Sequence, residues 1–315
     1  MSDTPADTPE PPQEGVATRA GFVALIGAPN AGKSTLINRL VGSKVAIVTH
    51  KVQTTRSVIR GIAMHDNTQI VFVDTPGIFQ PKKRLEKAMV TTAWASAADA
   101  DIVAVLIDAR GGLDEAALTI LDRLAETGAP AQKRVLLLNK IDLVRRETLL
   151  AITAEANARL AFAETFMISA LNGDGVTHLL SYFAGQMPES PFLYPEDQIS
   201  DLPLRSIAAE VTREKLMLRL HQEIPYAATV ETESWEEKKD GSVKISQVIY
   251  VARESHRKIL LGKGGETIKA ISIAARRDLH EMLSRKVHLF LFVKVREGWA
   301  DDPERYREMG LEFPR

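Results

Sequence analysis

Three short segments of this chain carry residues in the order that nucleotide chemistry requires. Gly27-Ala28-Pro29-Asn30-Ala31-Gly32-Lys33-Ser34, continued by Thr35, fits G-x-x-x-x-G-K-[ST]. It follows the apolar run Phe22–Ile26 and precedes a helical pattern with Leu36, Ile37, Leu40 and Val41 on one face. In that setting backbone N–H groups can wrap a phosphate, and the helix N-terminus adds partial positive charge. Lys33 is placed to bridge the β- and γ-phosphates of a nucleotide, and the Ser34 hydroxyl to bind Mg²⁺. Asp74-Thr75-Pro76-Gly77 closes a second apolar run, Ile70–Val73. An Asp at a strand tip beside such a loop can hold Mg²⁺ directly or through water, and the Gly77 N–H can approach a γ-phosphate because no side chain intervenes. Asn139-Lys140-Ile141-Asp142 follows a third run, Val135–Leu138. A carboxylate there accepts the pair of N–H donors on a guanine edge, a pair adenine lacks, so the pattern selects GTP over ATP. Lys140 can lay its stem along the base. Ser169-Ala170-Leu171, after Phe166–Ile168, is a weaker signal for a loop closing over the base.

The elements that position these residues read as an α/β layer. The strand candidates Phe22–Ile26, Ile70–Val73, Ile102–Ile107, Val135–Leu138 and Phe166–Ile168 are near-continuously apolar, as strands buried on both faces of a parallel sheet are. Amphipathic stretches, such as Glu115–Leu124, alternate with them. Residues 1–20 read as a disordered tail without the basic start and apolar core of a signal peptide. Residues 21–186 read as the nucleotide domain, and 187–203, with Pro188, Pro191, Pro195 and Pro203, as a linker. Phe192, Leu193 and Tyr194 could pin that linker to a surface. Residues 204–297 follow as a second domain and 298–315 as a C-terminal tail. The second domain reads α-β-β-α-α-β, with a hairpin about Lys238-Lys239-Asp240-Gly241.

The 315 residues include no cysteine, which removes disulfides, thiolate metal sites and cysteine nucleophiles, and suits a reducing, cytoplasmic setting. No apolar run is long enough to span a membrane. Histidines 50, 65, 221, 256, 280 and 288 show no metal-ligand spacing and read as structural or surface residues. Net charge is −1, but residues 241–297 hold twelve Lys and Arg against five Asp and Glu, which suits a local polyanion site. Within that region Gly262-Lys263-Gly264-Gly265 has the form G-x-x-G between Ile259-Leu260-Leu261 and a helix bearing Ile268 and Ile271. The same form also serves as a plain helix C-cap. In its α-β-β-α-α-β context it resembles a KH domain of type II, whose exposed turn amides meet an RNA backbone. Arg257, Lys258, Lys263 and Lys269 surround it and would add counterion-release affinity, with Arg276 and Arg277 further along the same helix, while bulk at Gly262 or Gly265 would block the approach. Bases would lie beside the strand Val243–Tyr250.

Together the motifs resemble the translation-factor-related GTPases and, within them, the Era-like ribosome-assembly family, over nearly all of Gly21 to Trp299. The fold so implied is a P-loop GTPase domain with a mostly parallel sheet, followed by an α+β KH domain. The resemblance implies that Gln53-Thr54-Thr55-Arg56 is the first switch, with Thr55 on Mg²⁺ only when the γ-phosphate is present. Lys33, Thr55 and Gly77 become the catalytic set. It implies 16S ribosomal RNA near its 3′ end and the 30S subunit as partners, a monomer, and weak association with the inner face of the cytoplasmic membrane, for which the sequence supplies no anchor. Ras-like switches place a water-orienting Gln where this chain has Ile78. Relatives without it can use K⁺ with an Asn of the P-loop as ligand, and Asn30 occupies that place. Pro81–Lys87 is either part of a second mobile region or a solvated helix start. The tail after Trp299 could cover the RNA site. The competing reading is a signalling or transport GTPase whose C-terminal unit binds protein or membrane.

Overall fold

The structure, a computed structural model, describes residues 17–127 and 132–314. The first unit runs β1 (Arg19–Gly27), α1 (Lys33–Val41), β2 (Ile59–His65), β3 (Thr68–Asp74), α2 (Arg84–Ala98), β4 (Ile102–Asp108), α3 (Glu115–Glu126), β5 (Lys133–Asn139), α4 (Arg146–Arg159), β6 (Glu164–Ile168) and α5 (Val176–Gln186). Its sheet has the order β2-β3-β1-β4-β5-β6, parallel except for β2. The expected apolar strands bury both faces, except at the edge strand β6, where Met167 is exposed. Leu36, Ile37, Leu179 and Phe183 of α1 and α5 cover one side. Ala93, Ile120, Leu121 and Ile152 of α2, α3 and α4 cover the other. Right-handed parallel crossovers leave the C-terminal ends of β1, β3 and β5 along one rim, where loops can meet.

Two features differ from the sequence reading. β2 pairs antiparallel with β3 from Ile59–Asp74 to His65–Thr68. Its Gly61-Ile62-Ala63-Met64 run lacks a clear period, but Asp66, at φ 49°, opens a two-residue hairpin turn that Asp and Asn favour. β1 begins at Arg19, inside the stretch read as tail, because Arg19 and Ala20 extend the ladder to Thr68 and Gln69. The rest of that expected tail, residues 1–16, lies outside the described residues.

The segment 187–203 is strapped to the first unit. The buried Gln69 amide receives the N–H groups of Leu193 (2.8 Å) and Tyr194 (2.9 Å) and donates to the Tyr194 carbonyl (2.8 Å). Leu193 itself stays exposed, while backbone bonds such as Ile62 N–H to the Ile199 carbonyl (2.9 Å) and the Arg60–Asp201 pair (2.8 Å) hold the rest of the segment.

The second unit runs α6 (Leu204–Arg219), β7 (Ala228–Glu237), β8 (Val243–Val251), α7 (Glu254–Leu261), α8 (Glu266–Leu283) and β9 (Val287–Val295). β8 lies centrally, antiparallel to β7 and parallel to β9. α6 and α8 pack on one sheet face through Val211, Leu216, Ile271 and Leu279. The terminal helix α9 (Pro303–Glu308) and Leu311 do not lie loose: Tyr306 and Leu311 pack on Ala88 and Met89 of α2. The tail therefore bridges to the first unit.

Candidate functional site: the phosphate-loop corner and the Gly-rich turn

The loops after β1, β3 and β5 converge at the rim. Gly32 caps α1 at φ 104°, and a Cβ there would overlap the Asn139 amide. Gly77 lies against the loop itself: a Cβ would sit 2.8 Å from the Pro29 nitrogen. Ile78 N–H donates to the Gly27 carbonyl at 3.1 Å, which locks the second motif's neighbour to the first. The Ile78 side chain is buried in the core with Ile26 and Ile107. Where related switches carry a water-orienting Gln, this chain therefore has a packing residue.

Lys33 is 6% exposed and donates to the carbonyls of Gly27 (2.9 Å) and Ala28 (3.0 Å). Burial lowers its pKa to about 8, against the opposing pull of Asp74. Asp74 is fully buried, and desolvation raises its carboxyl to about 6 despite Lys33 and the hydroxyls of Ser34 and Thr55. Its Oδ2 accepts from Ser34 Oγ at 2.8 Å and Thr55 Oγ1 at 3.4 Å, and these hydroxyls are 3.0 Å apart. Its Oδ1 is buried with no hydrogen-bond partner. Keeping that carboxylate ionised against burial costs on the order of 3 kcal/mol. A hard cation reached by Oδ1 and the two hydroxyls would offset the cost, so the donor set fits Mg²⁺, which takes few protein oxygens and completes its shell with phosphate and water. Among the described residues no cluster of three or more His, Asp or Glu offers an all-protein metal cage.

Asn139 is buried and acts as a brace. It donates to the Ala31 carbonyl (2.8 Å) and accepts from Ala170 N–H (2.9 Å), joining the first motif to Ser169-Ala170-Leu171. Lys140, at φ 64°, donates to the Asn30 carbonyl (2.7 Å) and to Asp108 (2.6 Å). Ile141 and Asp142 open a short 3₁₀ turn, with Asp142 exposed at the rim. Thr75 is buried and donates to the Leu25 carbonyl at 2.8 Å, a structural role. Thr35 and Pro29 help line a cavity of about 390 Å³ that also includes Lys33, Ser34, Thr55 and Gly77.

Sequence reasoning missed several neighbours of this cavity. Asp108 ends β4 beside Lys140, with Arg110 in the turn that follows, and an Asp at the tip of a strand on the same rim was the available signal. His50, read as structural, lines the cavity, and its carbonyl accepts from the Asn30 amide at 3.0 Å. Lys82-Lys83-Arg84 proves to be a helix start: Glu86 accepts from the N–H groups of Lys82 (2.6 Å) and Lys83 (3.0 Å) to cap α2.

At the second site, Gly262 turns from α7 at φ 74°, where a Cβ would overlap the Thr267 hydroxyl. Gly264 and Gly265 also have positive φ but face open space. Lys258, Lys263, Lys269 and Arg276 are exposed, and Arg257 pairs with Glu254 at 2.9 Å. The expected flanking strand needs correction. Val243–Tyr250 lies within the central strand β8, so the free edge beside the turn belongs to β9, and α7 contacts β9. The exposed Ile259 and Ile273 put apolar surface on α7 and α8.

Residues 22–140 match the family described as 50S ribosome-binding GTPase, and residues 223–300 match the KH domain family. The chain is 66% identical over 300 residues to GTPase Era of Sinorhizobium medicae, covering 95% of this chain and 96% of that one. With GTPase Era of Mesorhizobium japonicum it shares 64% over 311 residues, covering 99% and 98%. The chain belongs to the Era family of GTPases. An Era solved with MgGDPNP and nucleotides 1506–1542 of 16S ribosomal RNA superposes with a TM-score of 0.85 at 36% identity, covering 93% of this chain and 99% of that one. The Y63A variant of Aquifex aeolicus Era bound to GDP.AlF4⁻ gives 0.86 at 36% identity, with the same coverage. The Era fold, a P-loop GTPase with a mostly parallel sheet followed by a KH domain, is thus the one expected from the motifs. Among the described residues no helix is long and apolar enough to cross a membrane.

Proposed function

We propose that this chain hydrolyses GTP at the rim of its first unit, and that the resulting change in its loops governs a grip on 16S ribosomal RNA near its 3′ end during 30S subunit assembly. The observation that carries this reading is the convergence of Ser34 and Thr55 on a buried Asp74 whose Oδ1 lacks a partner. Residues 19–186 are assigned to the nucleotide and 204–297 to the RNA, with 187–203 between them. The RNA bound by the relative described above, and the basic Gly-rich turn in the matching place here, support the choice of ligand.

Gly27 to Thr35 would wrap the phosphates, and Lys33 would swing from its loop carbonyls to the β- and γ-oxygens. Ser34, Thr55 and Asp74 would hold Mg²⁺, whose charge would offset that of the phosphate oxygens. The Gly77 N–H meets the γ-phosphate, while Asn139, Lys140 and Asp142 select guanine and Ser169-Ala170-Leu171 closes over it. Loss of the γ-phosphate frees Thr55 and Gly77, and the loops relax. Ile78 is buried in the core and carries no group to orient the attacking water, so turnover without an activator should be slow. Asn30 beside the His50 carbonyl supports K⁺ as an accessory ion, and equal turnover in KCl and NaCl would remove it.

The chain is taken to act as a monomer in the cytoplasm. Weak contact with the inner membrane face rests on the family resemblance, and a chain that stays with the soluble fraction in vesicle flotation would remove that part.

The test is the double substitution Lys263→Asp with Gly264→Asp. Asp tolerates the positive φ of position 264 better than most residues, so the fold should persist. The expected result is lost affinity for an RNA ending in the 16S 3′ sequence, with GTP turnover and melting temperature kept. Unchanged RNA affinity would sink the KH assignment.

A further inference from the structure

We infer that Arg213, on α6 of the C-terminal unit, is a positioning residue for GTP hydrolysis that fixes the Thr54–Thr55 peptide. The inference rests on the nucleotide reading above and names what holds that site's mobile loop. The stretch between α1 and β2 is gripped from the other unit at several points. Lys44 pairs with Glu214 (2.6 Å) and Asp278 (3.3 Å), and Val48 N–H donates to Glu214 at 2.9 Å. Lys51 donates to the carbonyls of Met217 and Leu220 at the end of α6. Arg56 donates to the carbonyls of Ala228 (2.9 Å), Tyr226 (3.0 Å) and Pro225 (3.2 Å) and lies over the Trp299 ring at 5.7 Å.

Arg213 is the member of that grip that touches the peptide directly before Thr55. Its Nη2 donates to the Thr54 carbonyl, the peptide oxygen directly before Thr55. Glu210 holds the guanidinium in place through Nε (2.8 Å) and Nη2 (2.6 Å). Turning that peptide would carry Thr55 away from Ser34 and Asp74, which its hydroxyl now meets.

Stability alone does not explain an arginine here. It is 2% exposed, and its Nη1 is buried with no hydrogen-bond partner. A buried charge with an unpaired donor is worse for stability than a hydrophobic residue of similar volume. What arginine supplies instead is a rigid fork with directed donors. A second observation points the same way. Gln53, two residues before Thr55, has φ 55°, a strained conformation for a residue with a side chain, and such strain persists only where the surroundings hold it. Its amide is tied to Glu86 of α2 at 3.1 Å, so the loop is held by α2 on one side and α6 on the other. Because the α6 anchor moves with the RNA-binding unit, RNA affinity and the γ-phosphate-bound state become linked reciprocally.

The full-length chain is tested as Arg213→Gln, Arg213→Lys and Glu210→Gln. For Arg213→Gln the expectation is a fall in kcat of about tenfold and weaker GDPNP binding, with GDP affinity within about twofold of the parent. Lys, with no fork, should rescue only part. Glu210→Gln leaves the Thr54 contact but loosens its anchor, so its kcat should fall less. A folded Arg213→Gln chain with parental kcat, or one losing GDP and GDPNP affinity equally, overturns the inference. If Arg213→Gln does not fold, Glu210→Gln decides: parental kcat in that folded variant overturns it too. A parent chain that turns over no GTP would instead fail the nucleotide reading.

Discussion

The phosphate-loop corner and the Gly262–Gly265 turn both present backbone amides at a glycine-lined bend ahead of a helix, yet they are built in opposite ways. The first is enclosed. Its charged groups, Lys33 and Asp74, are buried and shifted in pKa, and its glycines are hemmed in by Asn139 and Pro29. The second is open. Lys263 and Lys269 are exposed, and Gly264 and Gly265 face empty space. The difference matches the ligands. A small triphosphate can be surrounded, so desolvated and prepositioned charges act on it strongly. A polymer must lie across a surface, where exposed cations contribute through screened attraction and counterion release.

That contrast predicts a graded set of effects. Lys33→Ala should lower kcat/KM for GTP by about a thousandfold, because a buried cation aimed at developing charge is lost. Turnover within a few-fold of the parent, in a folded chain, would break the comparison at its strongest point. Gly77→Ala follows, at about a hundredfold, since its Cβ would push on Pro29 and displace both loops. Nucleotide titration of the folded variant checks it. On the open side Lys269→Ala should weaken RNA binding evenly across sequences and reduce the salt slope by about one; sequence-selective loss would mean that it reads bases. Gly262→Ala should destabilise the KH unit by about 2 kcal/mol through positive φ and the Thr267 contact, and Gly265→Ala by about 1 kcal/mol from backbone conformation alone. Urea unfolding of the two would show whether this bend, too, is partly enclosed.

The smallest effect concerns the ion network between the units. Burial pushes the Glu214 carboxyl up, but hydrogen bonds from Lys215, Lys44 and Val48 N–H outweigh it and leave the pKa below the usual range. Asp278 behaves the same way, held down by Lys215 and Lys44, with Arg277 at 3.6 Å. Carboxyls lowered in the folded state contribute stability at pH above their unfolded values, near 4, and lose it as pH falls through the folded values. Thermal melting should therefore shift down below about pH 4, and by less in Glu214→Gln. An equal acid shift in that variant would place the titration elsewhere.

Much of both sites was legible from residue order. Gly32-Lys33-Ser34, Asp74-Thr75-Pro76-Gly77 and Asn139-Lys140-Ile141-Asp142 each follow an apolar run, and parallel strands deliver such loops to one rim. β2 escaped because its residues alternate poorly, and Val243–Tyr250 was taken to flank the groove because sheet order is a non-local property. The tail's seat on α2 was likewise invisible: Tyr306 and Leu311 are apolar residues without a period, and only packing shows what they cover.

Amino-acid order by itself determined the nucleotide chemistry, its guanine preference and the presence of a Gly-rich turn in a basic unit, since each depends on residues only a few positions apart. The fold alone decided how the two units meet: that Arg213 reaches Thr54, that Lys44 reaches Glu214, and that Arg56 lies over Trp299. Those partners are more than 150 residues apart in the chain, and no local spacing encodes a contact that arises only when two folded surfaces pack together.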